Sequence, residues 1–155
     1  MYSALPILTT LIGLGGLIVG VYSFVSPISA AQVYGVQPPR INVKSKKSDN
    51  EPSYAEDISR HLAYSGIRNL VVGLTILALT WYWQYGTPSS SDKVTIQRCL
   101  GIVITVGWLT PVVDAFVTWR GAGQGVDAAA GKRAALLHAI RSVFWLAGGL
   151  WCLFG

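Results

Sequence analysis

Charge is scarce in this chain. Asp, Glu, Lys and Arg make up 12% of its 155 residues, where soluble domains carry about a quarter. With 52% hydrophobic residues and a mean hydropathy of +0.46, that shortage excludes an ordinary soluble domain. The length fits one domain. Cysteine is nearly absent, and Cys99 and Cys152 form neither a CxxC nor a zinc spacing. There is no HxxxH pair, so no metal site is expected. A complete nucleotide loop is missing too. GLGGLIVG at 13–20 has Ile18 where a dinucleotide loop needs its third glycine. GAGQGVDAAAGKR at 121–133 is mis-spaced for a phosphate loop and carries Arg133 in place of Ser or Thr. No cofactor is therefore expected. The first apolar run lacks a basic stretch before it, so it is read as a retained span rather than a cleaved leader.

What is present is long apolar runs. LGIVITVGWLTPVVDAFVTW (100–119) is apolar all round and holds a single ionisable residue between its ends, Asp114. About 20 such residues cross a bilayer core. Four spans are expected, at about 3–25, 63–85, 97–119 and 134–154, making an all-α, integral membrane four-helix bundle, up-down-up-down, in one domain over 1–155. Its main partner is the lipid bilayer. The formal charge is +5, but the basic residues flank apolar runs, which fits membrane orientation and not nucleic acid.

In chain order, Gly16 and Gly20 form a GxxxG step for close helix packing, and a homo-oligomer through that step is left open. Ser26-Pro27 ends the first span. A long polar loop, 28–53, holds Arg40, Lys44, Lys46 and Lys47. Ser53 and Glu56 fit a capping box that opens helix two, running from Tyr54 to about Tyr85. On it Asp57, His61, Tyr64 and Arg68, spaced four, three and four, share one face. Arg60 is placed to pair with Glu56, and Trp81, Tyr82, Trp83 and Tyr85 form an interfacial aromatic belt. Residues 86–92 read as a turn, with helix three from about Lys93 and helix four from about Lys132 to Phe154. Pro111 is expected to kink helix three about a turn before Asp114. Cys99 and Cys152 fall toward the same face, where topology allows a disulfide.

Alternating spans put the loops after helices one and three on one side. Those loops hold Arg40, Lys44, Lys46, Lys47, Arg120, Lys132 and Arg133. The positive-inside bias makes loops 28–53 and 121–133 cytoplasmic, with the endoplasmic reticulum as the expected membrane. Arg68, Asp114, His138 and Arg141 then fall in one shallow layer, roughly 8–14 Å inside that boundary at a helical rise. Two readings follow. In one, Asp114 pairs with Arg68 or Arg141 and only holds the helices together, as in a carrier or assembly scaffold. In the other, the layer lines a pocket for acid–base chemistry on a lipophilic small molecule. Asp114 is then the acid or base, with Arg68, His138 and Arg141 as the other catalytic candidates. Asp57, His61, Tyr64, Tyr22 and Trp145 are the expected substrate contacts.

At GIRNLVVGL (66–74), PVVDAF (111–116) and LLHAIR (136–141), the chain resembles a family of small four-helix membrane proteins grouped as a domain of unknown function. That family is widespread in fungi and found also in bacteria. The resemblance implies the fold and leaves the chemistry open. It points toward secondary-metabolite enzymes of the cyclase, isomerase or epoxide-opening kind, although seven-helix membrane terpene cyclases differ in length.

Overall fold

The computed structural model describes residues 4–35, 54–86, 89–122 and 128–155. Six α-helices follow in order: α1 (Ala4–Val25), α2 (Pro27–Val33), α3 (Tyr54–Trp81), α4 (Ser90–Gly107), α5 (Leu109–Gly121) and α6 (Ala128–Phe154). One π-helical turn, Tyr82–Gly86, extends α3. Among the described residues, four helical stretches are long and apolar enough to cross a membrane: Ala4–Val25, Ser59–Gly86, Ser90–Gly121 and Ala128–Phe154. The 22 residues of α1 span roughly 33 Å at 1.5 Å per residue, enough for the hydrocarbon core. The protein is an all-α membrane helical bundle.

The helices pack as two antiparallel pairs, α1 with α3 and α4–α5 with α6, and the pairs meet where α3 touches α4 and α1 touches α6. In membranes such contacts depend on small residues that let backbones approach, because lipid removes the hydrophobic drive between helices. Gly16 supplies this in α1. A Cβ there would lie 3.1 Å from the Gly73 Cα of α3 and 3.1 Å from the Asn69 carbonyl oxygen. Gly20 is likewise buried against Leu70 and Gly66. The Gly16/Gly20 step is thus occupied within the chain, so a second copy would have to use another face. Nearer the termini the buried Thr80 hydroxyl donates to Thr9 Oγ at 3.0 Å, and Thr9 in turn donates to the Pro6 carbonyl.

The described helices depart from the expected boundaries in three places, each for a local reason. Residues 27–33 form α2 and not loop. Pro27 does end α1, but it also occupies the first turn of the next helix, where its missing N–H costs nothing. The third span starts at Ser90, earlier than Lys93. Ser89 Oγ accepts the Asp92 backbone N–H at 3.2 Å and donates to its carboxylate at 2.6 Å, closing an N-cap inside the expected turn. The fourth span starts at Ala128, one turn before Lys132. Pro111 interrupts the hydrogen-bond ladder: it has no N–H for the Gly107 carbonyl, the next bond, Val112 N–H to Trp108 O, is long at 3.4 Å, and the span divides into α4 and α5 at Trp108, whose own dihedrals stay helical.

Other details agree with the chain's patterning. Arg60 donates to Glu56 at 2.7 Å. Trp81, Tyr82 and Tyr85 are exposed at one end of α3, while Trp83 turns into the core. Ser53 of the expected capping box lies outside the described residues. Cys99 and Cys152 stay unpaired, the first exposed and the second buried.

Candidate functional site

Arg68, Asp114, His138 and Arg141 gather at the bundle end remote from Ala4 and Phe154. Arg68 Nη2, on α3, donates to Asp114 Oδ2, on α5, at 3.3 Å. This bond joins the two helix pairs. Asp114 sits one turn after Pro111, so the backbone break sets where the carboxylate emerges. The pair is partly exposed, with the Asp114 side chain 24% accessible and that of Arg68 43%. Of the two arginines the sequence offered as partners, Arg68 is the one that bonds.

Beside the pair lies a small cavity of about 30 Å³ whose walls include Arg68, Asn69, Asp114, His138, Arg141 and Tyr34. His138 is 4% exposed. Its Nε2 is buried and has no hydrogen-bond partner. The Tyr34 ring stacks on the imidazole, with centroids 5.8 Å apart and planes 18° from parallel. Tyr34 is held from three sides. Its phenol oxygen accepts from Asn69 Nδ2 at 2.6 Å, its carbonyl accepts from Thr118 Oγ1 at 3.1 Å, and Gly35 follows at φ +74. That left-handed turn, tight against Thr118 and Ala134, admits only glycine without strain.

A wider groove of about 360 Å³ opens on the other side of Tyr34 and Asp114, walled by His61, Leu62 and Ser65 of α3 and Val117 and Thr118 of α5. Tyr34 and Asp114 line both spaces. The small cavity has the volume of a water or two; the groove approaches the size of a small-molecule site. A carboxylate between them faces a room of oxygen-sized groups on one side and a partly apolar channel on the other. Chemically it could exchange a proton with a molecule lying in the groove, beside cations that favour negative charge.

The candidates divide accordingly. Asp114, Arg68, His138, Arg141 and Trp145 share the small cavity, and His61 lines the groove. Asp57, Tyr64 and Tyr22 are exposed and line neither space; Tyr64 is 74% accessible. The residues the sequence left unnoticed are Tyr34, Asn69 and Thr118. Pro27 at a helix start signals the short helix that delivers Tyr34, but nothing local tells where Tyr34 lands. Among the described residues no three His, Cys, Asp or Glu side chains group as metal ligands.

The chain belongs to the family described as domain of unknown function DUF4267, whose model matches residues 13–152. The match spans both cavities. No curated protein and no solved structure matches the chain.

Proposed function

We propose that this member of the family is a membrane-embedded, cofactor-independent enzyme that acts by acid–base chemistry on a lipophilic small molecule. The observation that carries the reading is the position of Asp114, shared by a polar cavity and an open groove. Arg68 orients the carboxylate through their contact at 3.3 Å. A substrate in the groove gives a proton to Asp114 and receives it back at another atom. Negative charge developing on its oxygen is met by Arg141 and His138. Isomerisation or cyclisation needs no more than this. In epoxide opening Asp114 takes the proton of the attacking hydroxyl as the C–O bond breaks and returns it to the opened ring oxygen. The resemblance to small fungal membrane proteins supports a place in secondary metabolism. Basic residues in segments 28–53 and 121–133 support a cytoplasmic placement of those segments, with the chain in the endoplasmic reticulum.

The test is Asp114→Asn in the full chain, with metabolite profiling of a host that carries the wild type, the variant or neither. A product that vanishes with the variant, while folded protein accumulates normally, is the expected result. One observation favours a second reading, a carrier or scaffold: the Arg68–Asp114 bond itself ties α3 to α5. Under that reading the variant fails to accumulate, or the host's metabolites are identical with and without the chain.

A further inference from the structure

The charges at the small cavity do not balance. Arg68 is matched by Asp114 at 3.3 Å. Arg141 lines the same cavity, and among the described residues no carboxylate pairs with it. Beside it the buried Nε2 of His138 lacks a partner. A cation at membrane depth and an orphaned polar atom are both costly, so a site that keeps both side by side is incomplete without a ligand. We infer that this site takes a lipophilic acid, a hydrocarbon body ending in one carboxylate, with the head in the small cavity against Arg141 and His138 and the body in the α3–α5 groove.

Size and lining select this class. The cavity of about 30 Å³ offers room for a water or two, which matches the two oxygens of a carboxylate and excludes a hydrocarbon chain. The body must therefore lie in the groove of about 360 Å³, where Leu62 and Val117 give apolar wall. A carboxylate brings the charge of the Arg68–Asp114–Arg141 group to zero and can accept from the planar guanidinium in two parallel bonds. A cationic head would meet two arginines. An alcohol of the same length would leave the Arg141 charge unmatched. The proposal rests on the reading that the groove admits a lipophilic molecule, and adds the chemistry of its head.

The experiment is a scintillation-proximity competition with radiolabelled oleate on the detergent-solubilised full chain, using oleate, oleyl alcohol and oleylamine as competitors. Oleate is expected to bind about tenfold or more tightly than the alcohol, with the amine weaker still, because a charge-assisted bond is gained in one case only. Arg141→Gln should erase the preference and Arg141→Lys should restore part of it. If Arg141→Gln does not fold, the acid-to-alcohol ratio of the wild type still decides. Equal binding of acid and alcohol would overturn the carboxylate head while keeping a lipophilic groove. Failure of all three to bind would overturn the groove as a ligand site and, with it, the reading this rests on.

Discussion

At the bundle end that holds Ala4 and Phe154, Leu5, Ile12, Ile76, Trp83, Leu100, Ile104 and Cys152 close into one core. At the other end, Ala30, Ala31 and Leu62 form a small apolar cluster with Tyr34 at its edge, next to two cavities and an ion pair. The first end closes its interior with apolar side chains and pairs its buried Thr9 and Thr80 with each other, while open grooves mark its outer surface. The second leaves His138 Nε2 without a partner, at a cost of about 1–3 kcal/mol for such a group. Thr105 Oγ1, also unpartnered, is wedged against Gly149 at the α4–α6 seam and borders neither cavity. The larger buried core lies at one end, and a buried imidazole nitrogen without a partner lies beside a polar cavity at the other. That separation is what a scaffold with a site needs, since strain and loose packing are tolerated where the remainder of the molecule is well determined.

Four substitutions probe this division. Gly16→Leu should have the largest effect, because its Cβ already lies 3.1 Å from the Gly73 Cα and the rest of the side chain has nowhere to go. A loss of about 3 kcal/mol, at the upper end for overpacking, should appear as a collapse in the monodisperse fraction by size exclusion. Wild-type yield from that variant would mean the α1–α3 seam is not a tight contact. Next, Asp114→Asn should lower turnover by roughly 10²–10⁴, the range for a lost general acid or base, with a stability loss no larger than the roughly 1–2 kcal/mol of its pair with Arg68. A large drop in midpoint with proportionate turnover would move the residue from the chemistry to the packing.

Arg68→Gln should cost roughly 1–2 kcal/mol, between the values for surface and buried pairs, because the pair is partly exposed. The thermal midpoints of this variant, of Asp114→Asn and of the double variant form a cycle. Strict additivity would show that the two side chains do not interact. The smallest effect belongs to Thr80→Val at the opposite end. It removes one interhelical hydrogen bond while Thr9 keeps its bond to Pro6, so roughly 0.6 kcal/mol is expected. Any change in turnover there would break the division between the two ends.

Much of the site was legible in the chain because its logic is one of depth. Rise per residue places Arg68, Asp114, His138 and Arg141 in one layer whatever the packing, and the structure gathers those side chains around one cavity. The stripe Asp57, His61, Tyr64, Arg68 is one helical face too, yet only His61 and Arg68 reach the site. At about 100° per residue, the groove side of α3 runs from His61 through Ser65 and Asn69 to Leu62, one edge of the stripe and beyond it. Asp57 and Tyr64 lie on the other edge and point past the site. Periodicity gives a face but not its rotation against a neighbour. Tyr34 was out of reach for a different reason: its place depends on a short helix, a left-handed glycine and two side-chain bonds to other helices.

Composition and run length by themselves determined that the chain is an all-α bundle of membrane-crossing helices, because lipid leaves the backbone almost no other way to satisfy its own polar groups. They also settled which ionisable residues are too deep to be ordinary surface charges. Tertiary structure alone decided that Asp114 takes Arg68 and, among the described residues, leaves Arg141 without a carboxylate, and that Tyr34 lines both a water-sized room and a wider groove. Those outcomes depend on how the helix pairs rotate and approach, and the small residues that set the approach carry no mark of what they will face.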